Sequence, residues 1–304
     1  MKRAIFVFLL GSFTLLSLSL PLLSIASSED EIIRLLPQEY QAQVKINLSK
    51  AGSNRQQLTS AIATITPRER PSLGFILAHA PERDLRTVSA TFLKENSEYA
   101  HKARALTPWG KMIPEEIFLN DVLPYANVTE QREQWRKDFY QRFLEVAIKE
   151  KSIAGAVKKL NQYVFDTFDV RYHATLRKKP DQSPYESIAI KYASCTGLSI
   201  LIVDALRAVA IPARLAGIPL WPSTGGNHTW VEVWDAGSWH YIEAASPGEY
   251  DHTWFSERAK LAHESEQMSS IYAVSFRHTP TYFPLVWNHA VTDVHAVNVT
   301  RRYK

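Results

Sequence analysis

The sequence has a single cysteine among its 304 residues. One thiol cannot form a disulfide within the chain, so the fold has to depend on its hydrophobic core. In an oxidising compartment an exposed lone thiol would be open to oxidation or to pairing with another chain. The residue is therefore either a buried small hydrophobe or a thiol with a chemical task, and its count alone does not decide which.

Motifs that bind common cofactors are absent from the sequence as well. The chain has 10 His but no His-Glu-x-x-His and no pair of cysteines, so nothing indicates a zinc site. It has no glycine-rich phosphate loop and no acidic calcium loop. We therefore expect neither a metal nor another cofactor.

A large excess of charge of one sign is also lacking. Lys and Arg number 35 against 31 Asp and Glu, a net charge of +4. Without Lys2 and Arg3, which belong to the predicted leader described below, the count is 33 against 31, or +2. A surface on which positive and negative charges are nearly equal has no general attraction for nucleic acid or anionic lipid. We therefore expect no nucleic-acid partner.

The first residues carry a targeting pattern. Lys2 and Arg3 precede an uncharged stretch from Ala4 to Ala26 that ends on Ser24-Ile25-Ala26. A basic start, an apolar run and small residues before the first acid are typical of a cleaved signal peptide. The stretch is also long enough to span a bilayer, so an uncleaved anchor is the alternative. The small residues favour cleavage, which predicts a signal peptide over residues 1–26, a secreted or periplasmic protein and no stable membrane span afterwards.

The remaining chain divides into three regions. Residues 27–145 carry apolar side chains at helical spacing interrupted by prolines, which predicts a helical region. Residues 146–260 combine helical and strand patterns, and residues 261–304 read as a β-rich extension. The expected fold class is α+β. Strands are predicted at 213–218, 228–234, 239–245, 271–276, 283–287 and 294–300.

Cys195 stands immediately before an apolar stretch that predicts a buried helix ending before Pro212. Ser194 has the side chain of a helix N-cap. A sulfur at the start of this helix would lie near unpaired backbone N–H groups and the positive end of the helix dipole, which favour the thiolate. The same N–H groups could hold the oxyanion that forms when an acyl carbon is attacked.

A thiol nucleophile needs a base within hydrogen-bond reach, and the base needs an orienting group. His228 opens a predicted strand. If Asp235 pairs with Ser238 across the following turn, Glu243 lies one diagonal step from His228 on the same sheet face. That register predicts a catalytic triad of Cys195, His228 and Glu243.

Each member of this triad also has an ordinary structural interpretation. A His at a strand start is more often a polar edge residue than a catalyst, and Cys195 could be a buried hydrophobe. Glu243 could be a surface acid or the ion-pair partner of Arg214. Their joint order along the chain favours the triad over coincidence.

The stretch from Ser187 to Glu243 resembles the transglutaminase-like superfamily, which shares a papain-like catalytic core. The matching residues are Ser194-Cys195, Leu206-Arg207, Ile211-Pro212-Ala213-Arg214, His228-Thr229-Trp230-Val231-Glu232-Val233 and Trp239 through Glu243. The resemblance covers roughly residues 150–260, about a third of the chain. A weaker match, Pro114 to Phe118 and Val122 to Tyr125, is similar to what precedes this core in exported bacterial members.

The resemblance implies a catalytic core over residues 146–260, in which the nucleophile-bearing helix packs against an antiparallel sheet. It implies Cys195 as nucleophile, His228 as base and Glu243 where an Asp is usual. The expected reaction is cysteine-dependent acyl transfer on peptide or protein amides, as in a thiol protease, an amidase or a transglutaminase. Water is favoured over an amine as the acceptor because nothing marks an amine-binding site.

Substrate contacts are predicted at Trp221, Trp230 and Trp239, which cluster in sequence around the proposed site. Gln162, with Asn161, is the candidate side-chain donor to the oxyanion. The substrate is expected outside the cytoplasm, and cell-wall peptides fit that location. Two alternatives stay open: a catalytically inactive binding or scaffold module of the same fold, and an enzyme that cleaves esters or glycan amides with the same triad.

Overall fold

The computed structural model describes residues 28–304. The predicted signal peptide, residues 1–26, lies outside the described residues. Between residues 28 and 304, no helix combines the length and the apolar character needed to cross a membrane.

The helices fill most of the first two thirds of the described chain. They are α1 Glu29–Ile33, α2 Gln38–Lys50, α3 Arg55–Thr64, α4 Arg70–His79, α5 Glu82–Leu85, α6 Ala90–Leu106, α7 Glu115–Ile117, α8 Trp135–Ala147, α9 Ile153–Phe168, α10 Pro184–Ile190, α11 Cys195–Ala208 and α12 Ser256–Ala259. Short 3₁₀ turns lie at Gly52–Asn54, Pro67–Glu69, Gly110–Met112, Gln267–Ser269 and Thr300–Tyr303, and a π turn at Phe118–Val122.

Six strands form an antiparallel sheet in the order β5-β4-β3-β6-β8-β7. They are β3 Ala213–Ile218, β4 His228–Asp235, β5 Ser238–Ile242, β6 Tyr272–Val274, β7 Thr281–Tyr282 and β8 His295–Asn298. Two further strands, β1 Arg171–Tyr172 and β2 Tyr192–Ala193, form a separate parallel pair. The predicted α+β class is confirmed.

Helix α11 is the centre of the molecule. All residues from Thr196 to Ala208 are buried, because the helix is apolar on most of its circumference. It packs against α8 and α9 on one side and against β3 and β4 on the other. The predicted packing of this helix on an antiparallel sheet is therefore confirmed.

The C-terminal strands are shorter than the sequence pattern predicts. The strand predicted over residues 283–287 is wrong, since the strand in this part of the chain is Thr281–Tyr282. Pro284 explains the difference, because proline has no N–H to donate to a sheet ladder. Strand β5 likewise ends at Ile242, three residues before the predicted end.

The helical region and the core share one hydrophobic cluster, which runs from Ile33 to Ala296. The buried Arg136 of α8 reinforces this packing. Its Nη2 donates to the carbonyls of Val122, Leu123 and Pro124 at 2.9–3.0 Å, and its Nη1 donates to the Arg207 carbonyl at 3.0 Å. Packing is thus continuous across residue 145, and the boundaries at 145 and 260 stay predictions.

A buried carboxylate joins β4 to the C-terminal turn. Glu232 is 2% exposed and accepts hydrogen bonds from Arg214 Nη2 at 2.7 Å, Arg302 Nη1 at 3.0 Å and the Tyr303 hydroxyl at 3.0 Å. The guanidinium of Arg214 also lies 3.6 Å from the centre of the Trp239 ring. Arg214 is therefore the partner of Glu232, which leaves Glu243 free of the alternative ion-pair role.

We expect Glu232→Gln to lower the free energy of unfolding by about 3 kcal/mol, because the change leaves the buried Arg214 guanidinium without its counter-charge. Chemical denaturation followed by tryptophan fluorescence measures this effect. Glu98→Gln is the matched control, since the pair of Glu98 with Lys102 is exposed, and we expect a change under about 0.5 kcal/mol. Equal effects of the two substitutions would contradict the structural role of Glu232.

Candidate active site

Cys195 is the first residue of α11 and is partly exposed. The side chain of Ser194 caps the helix by accepting a hydrogen bond from the Gly197 N–H at 3.0 Å, as predicted. Strand β2 ends directly before this cap, so the sheet pair β1-β2 and the helix start together fix the position of the sulfur. The sulfur lies where backbone N–H groups have no intrahelical partner.

His228 is the first residue of β4 and lies opposite Ile218 of β3. Its Nε2 is 2.8 Å from Oε2 of Glu243. The predicted pairing of Asp235 with Ser238 is confirmed, and it continues to the last bridge of β5, which brings Glu243 to the histidine. Because Nε2 faces the carboxylate, Nδ1 is the ring nitrogen left for the thiol.

The charges of Cys195 and His228 are coupled. Burial disfavours the thiolate of Cys195, but hydrogen bonds with His228 and with the backbone of Thr229 and Thr196 outweigh it and lower the pKa of the thiol. Burial also disfavours the imidazolium of His228, yet its hydrogen bonds with Cys195 and Glu243 raise the pKa of the ring to about 9. Both shifts favour one state, a thiolate beside an imidazolium.

Asn161 of α9 holds the segment that carries the acid. Its Nδ2 donates to the Glu243 carbonyl at 2.8 Å, and its Oδ1 accepts from the Ala245 N–H at 3.0 Å. The residue is 1% exposed. Since both polar atoms of this amide bind backbone, the predicted role of Asn161 as an oxyanion donor is wrong, and it is a positioning residue for Glu243.

Trp254 also contacts the acid, and the sequence pattern did not predict it. Its Nε1 donates to Oε2 of Glu243 at 3.1 Å, and its ring centre lies 4.9 Å from that of His228. The side chain is nevertheless 58% exposed. Trp254 lies between β5 and α12, where no periodicity indicates its direction; its polar neighbours, His252 and Thr253, are the one local sign of an exposed aromatic residue.

A cavity of about 790 Å³ opens over these residues. Its lining consists of Phe165, Asp166, Asp169, Val170, Arg171, Tyr172, Cys195, Leu198, Asn227, His228, Glu243, Ala244, Ala245 and Trp254. All three predicted catalytic side chains thus face one space large enough for several residues of a peptide. Among residues 28–304, no group of three or more His, Cys, Asp or Glu side chains is arranged to hold a metal ion.

The four residues predicted to bind substrate or oxyanion do not line this cavity. Trp221 and Trp230 are buried, at 4% and 0% exposure, and stack on each other with ring centres 6.1 Å apart. Trp239 packs on Arg214 instead. Gln162 is exposed on α9 outside the cavity lining. The predictions for these four side chains are corrected accordingly, because proximity in sequence did not reveal the direction in which each side chain points.

We expect Asn161→Ala to lower kcat at least tenfold. Without the amide of Asn161, the backbone at Glu243 is no longer held in place, and His228 is no longer aligned by the carboxylate. The upper pH limit of activity should also move down, since a displaced carboxylate supports the imidazolium less. A purely structural role would lower stability without moving that limit. Activity measured across pH checks both effects, with the exposed Lys159→Ala on the same helix as the unaffected control.

The part of the chain that contains the candidate site matches a known protein family. Residues 142–244 match the profile of a family described as the transglutaminase-like superfamily. The matched segment begins in α8 and ends one residue beyond Glu243, so it includes Cys195 and His228. The match confirms the predicted resemblance to this superfamily over residues 142–244.

Part of the chain is similar to a solved structure. It is a candidate cysteine protease from Cytophaga hutchinsonii, 20% identical over 38% of this chain and 37% of that chain, with a TM-score of 0.31. The match thus spans well under half of that protein, and a likeness this weak carries no argument about activity. No curated protein matches the chain.

Proposed function

We propose that this protein is a cysteine-dependent acyl-transfer enzyme that acts on peptide or protein amides. Cys195 is the nucleophile, His228 the general acid and base, and Glu243 the group that orients the ring. The observation that carries the proposal is the 2.8 Å contact of His228 Nε2 with Glu243 Oε2, in a cavity that Cys195 also lines. A nucleophile, a base and an orienting acid are the parts that such chemistry requires.

In the first half of the reaction, the Cys195 thiolate attacks the amide carbonyl carbon. Backbone N–H groups in the first turn of α11 stabilise the oxyanion. The His228 imidazolium then gives its proton to the leaving nitrogen as the C–N bond breaks, which leaves a thioester on Cys195 and a neutral imidazole.

In the second half, His228 takes a proton from water as the water oxygen attacks the thioester carbon. The C–S bond breaks, the acid product leaves and the thiolate–imidazolium pair is restored. An amine could replace water in this step. Hydrolysis is favoured because the cavity is open and water is far more abundant than any amine.

Thiol labelling tests the proposal directly, because every adduct in a protein with one cysteine reports on Cys195. We expect iodoacetamide to alkylate the protein at pH 6.5, where an ordinary thiol is largely protonated. His228→Ala should slow this labelling at least tenfold, since the histidine is the main support of the thiolate. Mass spectrometry of the intact protein gives the rates.

His240→Ala is the matched control for this experiment. His240 also pairs with a carboxylate, Asp251 Oδ2 at 2.7 Å, but it lies outside the cavity lining. Its replacement should leave the labelling rate within twofold. Labelling that does not depend on His228 would refute the proposed mechanism and favour an inactive binding module with the same fold.

We further propose that the enzyme works outside the cytoplasm, as a secreted or periplasmic protein. The support is the pattern of residues 1–26, with its basic start, apolar run and small residues before the first acid. N-terminal sequencing of the mature protein from its host should begin at Ser27. A mature chain that begins at Met1 would contradict cleavage.

A further inference from the structure

Strand β1 forms one wall of the cavity and is paired on one side only. It runs parallel to β2, with Arg171 opposite Tyr192 and Tyr172 opposite Ala193. The two strands make up a sheet of their own within the described residues. The side of β1 away from β2 is therefore a free sheet edge.

The backbone of Tyr172 points to this free edge. The N–H of Arg171 donates to Lys191 and that of His173 donates to Ala193, both at 2.9 Å. Because successive residues of a strand direct their N–H and C=O groups to opposite sides, those of Tyr172 point away from β2. Neither group has a hydrogen-bond partner among residues 28–304 on that side.

This edge lies close to the nucleophile. Ala193, the partner of Tyr172, stands two residues before Cys195. The spacing of paired strands and of consecutive Cα atoms puts the Cα atoms of Tyr172 and Cys195 no more than about 12 Å apart. Both residues line the same cavity. A chain lying along the edge would reach the sulfur within about four extended residues.

We propose that the free edge of β1 binds the main chain of the substrate, so that the substrate is an extended peptide segment. One peptide N–H donates to the Tyr172 carbonyl, and one peptide carbonyl accepts from the Tyr172 N–H. Main-chain pairing of this kind supplies affinity with little dependence on sequence. The inference rests on the proposed function and adds the form in which the amide is presented to Cys195.

The shape of the edge favours a substrate over a second copy of this chain. Strand β1 has only two residues and offers the N–H and C=O of one of them. An edge this short is a poor template for pairing between folded proteins. It lies inside a cavity of about 790 Å³ that Cys195 also lines, which has room for a single extended chain.

Backbone methylation of a peptide probe tests the inference without altering the protein. The probe is acetyl-Ala-Ala-Ala acyloxymethyl ketone, an electrophile that alkylates Cys195, with analogues N-methylated at one amide each. Each inactivation rate is divided by the iodoacetamide rate of the same preparation. We expect one methyl group to lower the normalised rate at least tenfold, because it removes the donor to Tyr172 and blocks the edge. Methyl groups at the other amides should change the normalised rate less than twofold.

The same loss is expected when the donor on the protein is removed. Tyr172→Pro eliminates the N–H at the edge and should lower the normalised rate at least tenfold. Ala174→Pro is the matched control, an exposed position outside the cavity whose N–H has no partner in the described residues. If Tyr172→Pro does not fold in a thermal melt, the methylated probes still decide the question.

The outcomes separate this inference from the proposed function. Labelling by iodoacetamide that is independent of His228 would overturn both. Labelling that depends on His228, together with normalised probe rates that no methyl group changes, would overturn the edge-binding inference alone. Equal losses at every methylated position would overturn it too, because pairing with one residue requires a single sensitive amide.

Discussion

Cys195→Ala is expected to lower kcat/KM for a peptide amide by about 10⁴-fold or more, because the attacking atom is lost and no other thiol exists in the chain. Residual activity would come from substrate binding and the N–H groups at the start of α11 alone. A fluorogenic tripeptide amide measures the rate. Activity that survives this substitution within tenfold would exclude the mechanism.

The same assay tests whether His228 acts together with Cys195, by comparing the two single variants with the double variant. His228→Ala should cost about as much as Cys195→Ala, and the double variant should be no worse than either single one, since the two residues act as a unit. Glu243→Gln should lower the rate less than either of these substitutions, because it removes the charge that orients the ring but keeps much of the side-chain shape. Losses that multiply in the double variant would mean that the two residues contribute independently.

The parts of the site that the sequence predicted depend on local rules. A serine before an apolar helix predicts a cap, and the cap fixed the position of Cys195. A two-residue turn sets the register of a hairpin, and the register placed Glu243 near His228. Both rules act over a few residues, so one sequence was enough to apply them.

The parts that it missed depend on contacts distant in sequence. Asn161 binds the backbone of Glu243 across 82 positions, and no local pattern indicates such a partner. Arg214 pairs with Glu232 and not with Glu243, because Arg214 and Glu232 are directly opposed on neighbouring strands. Trp254 reaches the acid from a loop without periodicity. The direction of a side chain in a loop, and which of two acids pairs with an arginine, can be determined only from the folded structure.

The rate of acylation is expected to follow a bell-shaped dependence on pH with a plateau across neutral pH. In the proposed mechanism, the active form is the thiolate of Cys195 beside the imidazolium of His228. On the basic side the ring loses its proton, and because its pKa is raised to about 9, the rate should fall tenfold per pH unit above that value. On the acid side the limit is the lowered pKa of the thiol, below which the thiolate is protonated.

Glu243→Gln should move the basic end of this plateau to lower pH. The hydrogen bond and the charge of Glu243 both raise the pKa of His228, while burial lowers it. Without the carboxylate charge, the imidazolium gives up its proton at lower pH, so the basic limb of the profile moves down. His240→Ala should leave the limb in place, since that ring faces Asp251 outside the cavity. A limb that stays at the same pH in Glu243→Gln would show that the acid orients the ring without supporting its charge.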